Sequence, residues 1–183
     1  MYKTLSATAL LAQLSYALIS EAPYFYNKER PLIIAHRGSY GHAPEHSMAS
    51  YMDAYYGGAD FLELDVEVSS DGYLILQHDP TLNDTTNIYE YGGRQAFKDK
   101  QQPNEDWLVA DFSLAELKML KRYQRYADIR SPMLNDRYDI VTLTELIENV
   151  QMLNEDEPRT MNADTKVGLY IEIKEYAENL KKG

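Results

Sequence analysis

ADFLELDVEV, residues 59–68, alternates acidic and aliphatic side chains directly behind Gly57-Gly58. Successive residues of a strand point to opposite faces, so Leu62, Leu64 and Val66 share one face while Glu63, Asp65 and Glu67 share the other. The first face belongs to a core. The second gathers three carboxylates, which are either solvated on an open sheet or arranged around a cation. The neighbouring segments favour the cation. PLIIA, residues 31–35, reads as a buried strand and ends in His36. After the Asp71-Gly72 turn, YLILQHD, residues 73–79, reads as another and ends in His78 and Asp79 before Pro80. VGLYIEIKEY, residues 167–176, repeats the alternation, with Tyr170, Glu172 and Lys174 on one face.

Helices fall between these runs. Met48, Tyr51, Met52 and Tyr55 recur at helical spacing and predict a helix over residues 44–56. Ser113 is an N-cap for LAELKMLKRY, with Glu116 completing a capping box, and Thr142 or Thr144 caps ELIENVQMLN. Residues 81–112 are polar and weakly periodic, as in a loop-rich insertion. The order strand, helix, strand, strand, helices, strand predicts an α/β protein with strands between layers. Folds of this kind place chemistry at the C-terminal ends of their strands.

Composition narrows the function. The 183 residues carry a formal net charge of -11 and 44% hydrophobic residues, which suits a folded domain and disfavours nucleic-acid binding through phosphate neutralisation. Without cysteine there is no thiolate metal site, so a metal would sit on oxygen or imidazole. Residues 1–22, MYKTLSATALLAQLSYALISEA, place Lys3 ahead of an apolar stretch and end in small residues, as a cleaved secretory signal does. An amphipathic N-terminal helix is the other reading of that stretch. No other segment is long and apolar enough to cross a bilayer. Asn83-Asp84-Thr85 forms a glycosylation sequon.

A hard divalent ion prefers carboxylate oxygens and water, so Glu63, Asp65 and Glu172 make a candidate Mg²⁺ or Ca²⁺ site with open positions. His36 and His78 would flank it and share proton transfer. Arg37 and Lys174 would bring positive charge to a phosphate. Together these groups describe metal-assisted phosphoryl transfer.

HRG (36–38), APEHSMASYMDAYYGGADFLELDVEVSSDGYLILQHDPTL (43–82) and LYIEIK (169–174) resemble the glycerophosphodiester phosphodiesterase family, in its extracytoplasmic branch. The resemblance implies a TIM (β/α)8 barrel, of which residues 31–183 cover roughly the first half, with a small helical insertion at about 81–140. It implies that Glu63, Asp65 and Glu172 bind the metal, that His36 and His78 are acid and base, and that Arg37 and Lys174 contact the phosphate. The substrates implied are glycerophosphodiesters such as glycerophosphocholine, cleaved to glycerol 3-phosphate and an alcohol. His46 stands where many members have Asn, with a supporting or ion-contacting role at most. His42 reads as a solvated loop residue, and Glu67 as equally a neutral strand residue outside the metal shell. A half-barrel exposes edges and an apolar face, so self-association is expected. The alternative to an active hydrolase is a non-catalytic half-barrel relative that binds a ligand or is inactive.

Overall fold

The ADFLELDVEV stretch is the middle of the molecule. The computed structural model describes residues 30–90, 93–156 and 166–174, so the signal reading of residues 1–22 lies outside it. From Ile33 onward the described residues build a four-stranded sheet in which strand β2 (Phe61–Val68) pairs with all the others. Strand β1 (Ile34–Ala35) lies parallel to one side of it, and helix α1 (Met48–Tyr56) makes the crossover between the two. Strand β4 (Gly168–Ile173) runs parallel along the other side, with Glu63 opposite Tyr170 and Asp65 opposite Glu172.

YLILQHD pairs differently from a further parallel strand. Strand β3 (Leu74–Leu76) folds back antiparallel on the end of β2 through the turn at Gly72, which has φ +86°. The return brings Gln77 N–H to the Asp65 carbonyl at 3.0 Å, so that His78 and Asp79 come back to the level of the acidic residues.

Between β3 and the last helix, the chain makes short pieces: α2 (Gly93–Ala96), α3 (Leu114–Leu117) and 3₁₀ turns at Lys98–Lys100, Val109–Asp111 and Pro132–Leu134. Helix α4 (Leu143–Asp156) then leads towards β4. Thr142, rather than Thr144, caps α4: its hydroxyl accepts from Glu145 N–H while Glu145 Oε2 accepts from Thr142 N–H, at 3.2 and 2.7 Å.

Two cores result. In the first, Leu62, Leu64 and Val66 of β2 pack against Tyr51 and Tyr55 of α1 and Leu146, Val150 and Leu153 of α4. The second gathers Ile75, Leu82, Ile88, Phe97, Trp107, Val109, Phe112, Leu117, Leu120 and Ile140. Trp107 is fully buried there, its indole N–H donating to the Phe97 carbonyl at 2.9 Å and its ring meeting Tyr89 edge-on. Asn83 of the sequon is drawn inward, donating to Asp106 and the Tyr89 hydroxyl while accepting from Trp107 N–H.

Candidate active site

β2 is buried on both faces. Leu62, Leu64 and Val66 face the helices, and Glu63, Asp65 and Glu67 are also covered. Oxygen atoms of Glu63, Asp65 and Glu172 all lie within 4.8 Å of one another, the parallel register having set Glu172 directly beside Asp65. Among the described residues this is the cluster that can hold a cation. Burial raises the Glu63 pKa; a hydrogen bond from the Arg37 amide opposes that, and the charges of Asp65 and Glu172 add to it.

The loop after β1 wraps this cluster. Arg37 occupies left-handed backbone space with φ 56°, a conformation that costs a side-chain-bearing residue free energy and persists where the surroundings enforce it. The reward is three contacts on carboxylates. Its N–H donates to Glu63 Oε2 at 2.7 Å, its Nη1 to Glu45 Oε1 at 3.1 Å, and its Nε lies 3.4 Å from Asp65 Oδ2. Next to it, Gly38 has φ +78°, and a β-carbon there would stand 2.5 Å from Ser50 Oγ of α1. The turn therefore requires glycine.

His46, also at φ 56°, is completely buried. Asp65 can only accept, so the ring donates from Nε2 to Asp65 Oδ2 at 3.1 Å and accepts at Nδ1 from the Tyr51 hydroxyl at 2.7 Å. Burial pushes its pKa down to about 4, and it is neutral at pH 7. Asp65 goes the other way: burial acts to raise it, but His46 and then Lys174 outweigh that and lower it to about 2. Lys174 Nζ sits 3.1 Å from Asp65 Oδ1 and also pairs with Glu172. Lys174 and Arg37 are thus already engaged with the acidic cluster.

His36 lies exposed at the end of β1, its ring edge-on to Tyr40 at 5.3 Å. Partial burial and the Arg37 charge lower its pKa, with further effects of Asp65, Glu45 and His78. His78 Nδ1 is 2.6 Å from Asp79 Oδ1, leaving Nε2 for other partners. His42 stands apart on the surface with Ser39 and Asp53.

Sequence reasoning missed the groups that the 81–140 segment sends into this site. The Arg122 guanidinium is fully buried and donates to Gln77 Oε1 at 2.5 Å and to the Leu76 carbonyl. Arg125 bridges Glu45 and Asp79. Both arise in a polar stretch with no motif, and Arg125 is 80 residues from Glu45, so no local spacing announces them.

A family model described as the glycerophosphoryl diester phosphodiesterase family matches residues 36–182. Over 170 residues the chain is 38% identical to a glycerophosphodiester phosphodiesterase of Arabidopsis thaliana, covering 87% of this chain and 42% of that protein. A glycerophosphodiester phosphodiesterase of Haemophilus influenzae is 30% identical over 186 residues, covering 94% of this chain and 48% of the relative. Among solved structures, the glycerophosphodiester phosphodiesterase from Agrobacterium tumefaciens aligns with a TM-score of 0.53 at 26% identity, over 79% of this chain and 47% of that one. An Oleispira antarctica phosphodiesterase, solved in complex with the product sn-glycerol-3-phosphate, aligns at 0.52 and 29% identity over 79% of this chain and 44% of its own. The chain spans less than half the length of these relatives.

Proposed function

The chain belongs to the glycerophosphoryl diester phosphodiesterase family, and from that premise we propose that it hydrolyses glycerophosphodiesters, glycerophosphocholine among them, to glycerol 3-phosphate and an alcohol. Its fold is part of a (β/α)8 barrel, with β1, β2 and β4 as neighbouring parallel strands. The observation that carries the reading is the meeting of Glu63, Asp65 and Glu172 within 4.8 Å on two of those strands, with His36 and His78 beside them.

The donor set fits a hard divalent ion. All three donors are carboxylates, two of them buried, and the like charges that raise Glu63 are relieved by a cation between them. Mg²⁺ and Ca²⁺ both suit such ligands. When bound, the ion stabilises negative charge building on the phosphoryl oxygens.

The protein's own groups do the rest. Arg37 and Lys174, braced on Asp65, present positive charge to the substrate phosphate. His36, its pKa lowered by burial and by Arg37, is neutral at pH 7 and takes the proton from the attacking water. His78, held through its Nδ1–H by Asp79, acts as the imidazolium and gives the second proton, on Nε2, to the leaving oxygen. In the same reading, residues 81–140 are an insertion in the barrel, the 1–22 stretch directs the protein out of the cytoplasm, and copies associate through exposed apolar edges.

Purified chain is assayed on glycerophosphocholine with and without a chelator, beside His78→Ala, while calorimetry follows Mg²⁺ and Ca²⁺ binding. Hydrolysis lost on chelation and in the variant is expected. Hydrolysis indifferent to both would sink the mechanism, and metal binding without hydrolysis would favour the non-catalytic relative.

A further inference from the structure

Arg125 lies in an irregular strip after α3, and the three residues before it are tied down. Arg122 N–H donates to the Tyr138 carbonyl and Tyr123 N–H to the Thr85 carbonyl, each at 2.8 Å. Gln124 N–H donates to Asn135 Oδ1 at 2.8 Å and its side chain to the Tyr40 carbonyl at 3.1 Å. The Arg122 guanidinium is locked beneath Leu76 and Gln77, the residues leading into His78. From this strip the Arg125 side chain reaches two acidic groups belonging to different loops. Nε and Nη2 take the two oxygens of Glu45 at 3.0 and 2.8 Å, and Nη1 takes Asp79 Oδ2 at 2.6 Å.

Each of those carboxylates has a second task. Glu45 Oε1 also receives Arg37 Nη1, and Asp79 Oδ1 holds His78 Nδ1. The guanidinium is therefore the one link among the described side chains that joins the loop carrying Arg37 to the pair carrying His78. Without a cation between them, two carboxylates drawn into so small a space repel, and Asp79 turns towards water. Only a planar fork meets one carboxylate along an edge and another with its remaining nitrogen; an ammonium makes one such approach.

We propose that Arg125 is a positioning residue for the reaction. It holds Asp79, and through it the ring orientation and tautomer of His78, in register with the Glu45–Arg37 loop, so that the segment outside the parallel strands takes part in building the active site. This inference rests on the reading of His78 as the proton donor.

The test compares the full chain with Arg125→Gln and Arg125→Lys. Nitrogen-15 NMR of the imidazole reads the His78 tautomer whether or not the chain turns over substrate, and circular dichroism checks folding. In its neutral form, which takes up the catalytic proton at Nε2, His78 of the unaltered chain is expected to carry its hydrogen on Nδ1, and that of Arg125→Gln to show a mixture of tautomers. Hydrolysis of glycerophosphocholine by Arg125→Gln is expected to fall about 10- to 100-fold in kcat with KM within about threefold, as for a misaligned catalytic group. Arg125→Lys keeps most of that deficit. If Arg125→Gln does not fold, Arg125→Lys decides by the same two measurements. A folded variant with the Nδ1–H tautomer intact and kcat within about twofold overturns the proposal. A tautomer change in a chain that hydrolyses nothing upholds the tether and refutes the hydrolase reading.

Discussion

His46 shows how one buried side chain organises two others. Its ring spans the Tyr51 hydroxyl of α1 and Asp65 of β2, so helix and strand are pinned at the acidic cluster. His46→Phe keeps the bulk and leaves both polar groups without that partner, and a loss of about 1–3 kcal/mol in urea unfolding is expected. Acid stability draws on further residues as well. Burial acts to raise Glu45 and Asp79, but Arg125 at the first, and His78 with Arg125 at the second, hold both below their ordinary values of 4.5 and 3.8. Each therefore binds a proton more readily unfolded than folded. Their contribution is fully present above about pH 4.5 and is lost as pH falls through the folded values. Thermal melts between pH 7 and 3 are expected to drop in that window, and Arg125→Gln to flatten the slope.

At the scale of elements, the sequence was most readable where one period runs unbroken. The alternation in 59–68 and 168–173 defines β2 and β4, and it puts the three carboxylates on one face before any pairing is known. What single-strand periodicity cannot supply is the partner. YLILQHD looks like a strand between layers, but the turn at Gly72 makes it an antiparallel arm of β2. Helix extents failed for traceable reasons. α1 begins at Met48 rather than Pro44, because Glu45 and His46 are spent on the site and Ser47 takes the cap. The capping box at Ser113 forms, yet α3 stops at Leu117, because Lys121 and Arg122 are pulled into extended bridges with Asp139 and Thr86. His36 and His78 are legible at the ends of apolar runs and the carboxylates in the alternation, whereas Arg125 depends on distant contacts that leave no local pattern. The junction of β1 and α1 offers a sharp check. Gly38→Ala would place its β-carbon against Ser50 in a left-handed turn, with an expected cost of about 1–3 kcal/mol in chemical denaturation.

For the whole molecule, the sheet's outer strands matter most. Ile33 and Ile34 at one edge, and Tyr170, Ile171 and Ile173 at the other, are all exposed large apolar residues. Parallel strands bury both faces, and apolar surface left open at an edge invites pairing. Sedimentation velocity is expected to show association that grows with concentration, and Ile173→Lys to reduce it. Sedimentation unchanged by the substitution would remove that edge from the interface. The chain's only tryptophan, Trp107, lies in the second core, outside the one that Leu62, Leu64 and Val66 form with the helices. Its emission is consequently a private signal of that core: a red shift on heating or in denaturant marks water reaching residues around Phe97 and Phe112, while the backbone ellipticity sums over every element. Recording both during one titration tells whether the two cores melt together or in turn.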